Sequence, residues 1–169
     1  MDAHIRAEQP GDGPGIRAVN LAAFETSAEA DLVEALRGQA RPFVSLVAVD
    51  RGAIVGHIAC SPAALVPHPA VRVMGLAPVA VVPPRQKQGI GSALVRAGLD
   101  ACRHAGAGAV ILIGFPDYYG RFGFVPASRF GLTSEYTVPD DVFMALELDE
   151  GALSGKSGLV RYHPAFGSL

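Results

Sequence analysis

The chain has 169 residues, with 20 Gly, 13 Pro, two Cys, no Trp, and 14 basic against 16 acidic side chains for a formal charge of −2. Half of it is hydrophobic and 18% is charged, which excludes a disordered chain and fits one domain able to bury a core without disulfide or metal staples. The near-neutral balance excludes a broad field for gripping nucleic acid, and two cysteines, Cys60 and Cys102, make no disulfide framework, so a reducing, cytoplasmic setting is expected.

In chain order, Ile5 to Glu8 reads as a short first strand, broken by Pro10, Gly11 and Asp12. Asp12 is placed to cap a helix carrying Ile16, Val19, Asn20, Ala23 and Phe24 at helical spacing. Ala28 to Arg37 keeps a second helical pattern, with Leu32, Val33 and Leu36 on one face and Glu29, Asp31 and Glu34 on the other. Val44 to Val49 and Ala53 to Ala59 are β-rich around Asp50-Arg51-Gly52, which predicts a hairpin. Val71 to Val82 is a third apolar run without clean alternation, as in a strand covered on both faces. Pro78 inside that run marks a bulge or an edge, because proline cannot donate to a ladder. The spacing then predicts a helix over Gly89 to Ala105 with Ile90, Leu94, Ala97 and Ala101 on one stripe, stopped near Gly106 and Gly108. A buried strand at Val110 to Ile113, a helical turn at Asp117 to Phe122 and a strand at Val142 to Leu148 follow. The order β-α-α-β-β-β-α-β-α-β is that of a mixed α/β layer fold without linker or repeat. The opening stretch MDAHIRAEQPGDG has no apolar h-region and is not expected to be a secretory leader. The longest apolar run, Val71 to Pro84, is broken by Arg72, Gly75 and Pro78 and too short for about 30 Å of hydrocarbon, so no membrane partner is expected.

The segment from Val79 to Ser92 carries the chemistry: an apolar strand, a polar turn with glycines, then an amphipathic helix. Such a turn aims backbone N–H groups and the positive helix end at one point, which makes an anion site for phosphate. Gly89 and Gly91 allow close backbone approach, and Arg85 and Lys87 add charge at the mouth. The competing reading is a strand-to-helix turn whose glycines only ease the bend. A dinucleotide fingerprint is disfavoured, since Leu94 stands where a small residue is required and no acid follows Ile111 to Ile113. Gly155-Lys156-Ser157 mimics the end of a P-loop, but Glu150 replaces its leading glycine and Pro164 blocks a long following helix.

Gln86-x-x-Gly89-x-Gly91, preceded by a Val-rich strand and Pro83, resembles the acyl-CoA motif of the GCN5-related N-acetyltransferases (GNAT). Tyr119-Gly-Arg-Phe-Gly123-Phe124 resembles that family's Tyr-x-x-x-Gly-Phe segment, and the run from Tyr118 is most similar to a bacterial YhbS-like branch. The resemblance covers about Ile5 to Leu148. It implies an α/β fold with a mixed, mostly antiparallel twisted sheet, helices on both faces and splayed central strands. The whole of 1–169 is then one N-acetyltransferase domain, with its core at about 5–148 and a C-terminal extension at 149–169.

By the same resemblance, Gln86, Lys87, Gln88, Gly89, Ile90, Gly91 and Ser92 would hold the pyrophosphate of acetyl-CoA, the cosubstrate. Val81 and Val82 would pair with the pantetheine arm, and the thioester would sit between the splayed strands. Tyr119 is the family-matched acid for the departing thiolate; the alternative is that it packs between the sheet and the cofactor. A backbone N–H near Val81 is the candidate oxyanion donor. The general base is open, since Val71 to Val82 contains no acid; Glu25, Glu29, Asp117 and His163 are candidates, and an amine that loses its proton on burial needs little help. No metal is expected: His57-x-x-Cys60 and Cys102-x-His104 do not have the spacing of a common zinc site. Arg96 and Asp100 read as a solvated helix pair. The tail from Arg161 to Phe166 either covers the sheet or lines the acceptor pocket, with Tyr162 and His163 as the candidates for the latter. The acceptor amine is not legible, and pairing through C-terminal strands leaves a homodimer open. A non-catalytic acyl-CoA-binding or regulatory module is the alternative to an enzyme.

Overall fold

Among the described residues, nine β-rich runs find partners in one open sheet. The structure is a computed structural model describing residues 3–168; Met1, Asp2 and Leu169, the ends of the predicted domain, lie outside them. The main path of the sheet is β1 (His4–Ala7), β2 (Val44–Asp50), β3 (Ala53–Val66), β4 (Val73–Val81), β5 (Ala109–Ile113), β8 (Phe143–Glu147) and β6 (Val125–Pro126). Strands β7 (Leu132–Ser134) and β9 (Gly158–Arg161) pair with each other, and β9 with the far end of β3. Helices α1 (Gly13–Ala23) and α2 (Ala28–Gln39) cover one face. Helix α3 (Ile90–His104) and the single turn α4 (Pro116–Tyr119) cover the other.

The apolar stripes decide these faces. Ile16 and Val33 from α1 and α2 bury against Val47 and Val49. Ile90, Leu94, Leu99 and Cys102 of α3 bury against Ile58, Cys60, Met74 and Val110. Gly106, at φ +93, closes α3: its N–H returns to Arg103 and that of Ala107 to Cys102, as the predicted glycine stop requires.

Two features of β4 position the site. First, Ile58 faces Val79 while Cys60 faces Leu76, so Ala77 and Pro78 stand opposite Ala59 alone. This is the bulge that Pro78 predicts. Second, β4 and β5 are parallel and pair only through Val73–Ala109, Met74–Val110 and Gly75–Ile111. Beyond Gly75 the two strands part, which opens the wedge expected of the resemblance.

Several expectations need correction. Asp12 does not cap α1; its carboxylate accepts from Arg6 Nη1 and from the Gln9 N–H, each at 2.7 Å. Strand β3 continues past Ser61-Pro62 to Val66, because β4 and β9 offer it ladders that outweigh a local breaker signal. Strands β6, β7 and β9 are too short to show periodicity and were not predicted. Asp100 pairs with Arg103 at 3.2 Å, and Arg96 instead lies 5.0 Å over the Phe122 ring.

Beneath α1, His57 is fully buried between Asn20 Nδ2 at 3.3 Å and Ser45 Oγ at 2.9 Å. Ser45 Oγ in turn donates to Glu8, whose carboxylate also accepts two hydrogen bonds from Arg37. Burial works against the charge on Glu8, but Arg37 and Ser45 outweigh it and hold its carboxyl below the usual range. Burial lowers His57 to about 4, so the folded ring is neutral where the unfolded one takes a proton. Stability from this group is present above pH 6.5 and is lost as pH falls toward 4, by up to about 3 kcal/mol. Urea midpoints should therefore fall over that window, and H57Q should flatten the fall; an unchanged slope in H57Q would assign it to the carboxylates instead.

Candidate acyl-CoA and acceptor site

Strand β4 ends at Val81, and Pro83 starts a tight turn that leads into α3. Two residues of this turn have left-handed backbones, Lys87 at φ +62 and Gly89 at φ +90. Gly89 has open space where a Cβ would lie, so glycine is required there for its φ rather than for room. The first bond into α3 runs from the Ala93 N–H to the Gly89 carbonyl. The backbone N–H groups of residues 87–92 therefore have no acceptor among the described residues. These donors share the positive end of a 15-residue helix, the arrangement that holds phosphate oxygens. They surround a groove of about 340 Å³ lined by Val81, Gln86, Lys87, Gly89, Gly91 and Ser92.

Side chains around the groove divide into supports and charges. Gln86 Nε2 donates to the Val81 carbonyl at 3.0 Å and ties the turn to the strand end. Arg85 lines the groove as expected, with its Nη1 paired to Asp50 at 2.6 Å. Lys87 and Arg121 are the cations of the groove without an acidic partner among the described residues. Arg121, which the sequence reading missed, lies 4.6 Å over the Tyr118 ring and donates to Ser92 Oγ at 3.1 Å. Tyr118 Oη is 3.2 Å from the same Ser92 hydroxyl. Tyr118 thus lines this groove together with Arg121.

The strand end also shows which backbone groups face the wedge. The Val82 N–H donates to the Val55 carbonyl at 3.0 Å, so Val82 is engaged with β3. Alternation along the ladder turns the N–H groups of Val79 and Val81 the other way, toward the gap left by β5.

Tyr119 packs on the α3-side core, next to Gly114 just past the end of β5. Its ring packs edge-on to Tyr118 at 4.9 Å and Phe124 at 6.0 Å. It also lies over Gly114, where an added Cβ would come within 2.7 Å of Tyr119 Cδ2. Its hydroxyl has no hydrogen-bond partner among the described residues. Burial, with a smaller part from Tyr118, pushes the phenol up to about 12, so it keeps its proton throughout the neutral range.

On the opposite face the wedge opens into a second cavity, of about 390 Å³. Leu76 and Ala77 of the bulge, Ile113 at the end of β5, and Val138 form its aliphatic walls. Tyr136, Tyr162 and Phe166 complete it, with Tyr162 9% exposed and 5.4 Å and 5.0 Å from the other two rings. The tail thus does both things open to it: β9 extends the sheet, and Tyr162 and Phe166 line the cavity. Of the four candidate bases, none lines either cavity. His163 Nδ1 accepts from the Ala165 N–H, and Glu29 keeps one buried carboxylate oxygen without a partner. His57, Cys60, Cys102 and His104 are not gathered: Cys60 and Cys102 touch in the core, His57 faces α1, and His104 binds the Asp100 carbonyl. Among the described residues no group of three or more His, Cys, Asp or Glu could hold a metal, and no helix is long and apolar enough to cross a membrane.

An anion cradle at the end of a bulged strand, beside a parting pair of strands, defines the GNAT acetyltransferases. The acetyltransferase (GNAT) domain matches residues 4–127, and the chain belongs to this family. Within it, the chain falls in the YhbS-like branch. It is 39% identical to the uncharacterised N-acetyltransferase YhbS of Escherichia coli K12 over 163 residues, 96% of this chain and 97% of that one. The crystal structure of E. coli YhbS in complex with CoA superposes with a TM-score of 0.92 at 38% identity, covering 99% of this chain and 93% of that chain. A GNAT acetyltransferase from Brucella melitensis in complex with acetyl-CoA gives 0.77 at 37% identity, covering 97% of each chain.

Proposed function

We propose that the protein transfers the acetyl group of acetyl-CoA directly to a primary amine. The observation that carries this reading is the run of unpaired N–H groups at residues 87–92, aimed into a groove that leads along β4 to the wedge. Residues 87–92 hold the pyrophosphate, with Lys87 and Arg121 adding charge. The N–H groups of Val79 and Val81 pair with the pantetheine arm and face the oxygen of the reacting carbonyl. The amine nitrogen forms the new C–N bond and the C–S bond breaks; Tyr119 gives its proton to the departing sulfur and recovers it from solvent, while the amine's surplus proton leaves to water. The CoA complexes of E. coli YhbS and of the Brucella relative support the choice of cosubstrate.

Titration calorimetry with acetyl-CoA followed by thiol release across an amine panel tests the proposal. Binding together with amine-dependent thiol release is expected. Binding without turnover on any amine would make the protein an acyl-CoA-binding module, and no binding would refute both. Within the groove, R121A should weaken acetyl-CoA binding by about 10-fold, the scale of one charge-assisted contact. Affinity within twofold of the parent would show that Arg121 packs on Tyr118 without touching phosphate.

A further inference from the structure

The cavity between β4, β5 and the C-terminal tail carries chemical information about the acceptor, on the reading that this is an acetyl-CoA-dependent enzyme. Its floor is the bulge: Leu76 and Ala77 lie where β4 has left β5, and Ile113 is the last residue of β5 on the other side of the gap. From Ala77 to Val81 at the phosphate groove is four strand residues, about 13 Å, which an extended arm lying along β4 can follow. The cavity is therefore where an amine would meet the thioester.

Its lining is aliphatic and aromatic, and among the described residues no charged side chain takes part. About 390 Å³ is at the small end of ligand sites. The Tyr162 hydroxyl in its wall is buried and has no hydrogen-bond partner among the described residues. A buried donor without an acceptor is costly in a finished core, and is relieved when a ligand oxygen supplies the acceptor. Tyr136, which leans on Tyr162, is 38% exposed and forms the outer wall beside it. Glu135 stands near, but its carboxylate accepts from the Tyr162 N–H at 2.7 Å and does not line the cavity.

We propose that this cavity takes the amine substrate, and that the substrate is a small primary amine on an apolar body with one oxygen acceptor for Tyr162, not a polycation. An ammonium entering such walls meets no carboxylate among the described residues and gives up its proton, which makes the nucleophile without a dedicated base. A polyamine would have to bury a second charge against Leu76, Ile113 and Phe166 with no partner.

The test uses CoA-loaded protein and measures binding of phenylalaninamide and of spermidine by calorimetry. Phenylalaninamide should bind at least about 10-fold more tightly than spermidine, the scale of burying one aryl side chain. Y162F should weaken phenylalaninamide by about fivefold, the scale of one neutral hydrogen bond, and leave 2-phenylethylamine unchanged. I113E, at a position 42% exposed, should move the preference toward spermidine by about 10-fold, with its folding checked by circular dichroism. Equal or tighter binding of spermidine to the parent protein, or no binding of either amine, would overturn the proposal. Failure of the first CoA titration would instead overturn the reading on which it rests, and the two failures are seen in separate steps.

Discussion

Replacing Tyr119 by Phe is expected to lower amine-dependent thiol release by about 100-fold, the low end of what a positioned general acid supplies. Acetyl-CoA affinity should stay within about twofold, because the ring and its contacts with Tyr118, Phe124 and Gly114 are kept. Only the unpartnered hydroxyl is lost. The pH profile distinguishes this from a packing role. With the phenol pushed up to about 12 by burial, the proton stays in place from pH 7 to 10, so no loss of rate from this group should appear in that range. A Y119F enzyme with parental turnover would leave Tyr119 as a wall of the wedge.

The second large effect is expected at Gly89. A valine there must either hold φ near +90, which a β-branched residue does at a cost of about 1–3 kcal/mol, or turn the peptide and scatter the N–H groups of residues 87–92. Either way several charge-assisted contacts to phosphate are lost or misdirected, and acetyl-CoA affinity should fall by about 100-fold or more. The core beneath, with Ile90 and Leu94 buried against Ile58, should still form. A folded G89V protein that binds acetyl-CoA within threefold of the parent would refute the cradle.

Gly89 and Pro78 were legible in the sequence for different reasons. Gly89 stands in a strand–turn–helix pattern whose physics alone predicts an anion site, and the structure places left-handed backbone at Lys87 and Gly89. Pro78 was legible as a bulge because no proline can serve the ladder at that point. Arg121 and Tyr118 were not legible as groove residues, since their approach to Ser92 depends on how α4 folds back across α3. Arg85 reads in the sequence as a charge at the groove mouth and does line the groove, but its pairing with the distant Asp50 was not legible. The cavity proposed for the acceptor was the least visible part: its walls come from β4, β5, the segment after β7 and the tail, and no local spacing links Ile113 to Tyr136 or Phe166.

The sheet follows the same division. Strands with a long apolar run or a tight turn, such as the β2–β3 hairpin at Asp50-Arg51-Gly52, declare themselves locally. Strands β7 and β9 exist because they complete each other and the far end of β3, a contact spanning about half the chain.

The most direct measurement is amide chemical-shift mapping of the protein as acetyl-CoA is added. The largest changes are predicted at the amides of residues 87–92 and at Val79 and Val81, with the His57 surroundings nearly unmoved. Shifts concentrated elsewhere, with the amides of residues 87–92 unchanged, would contradict the account.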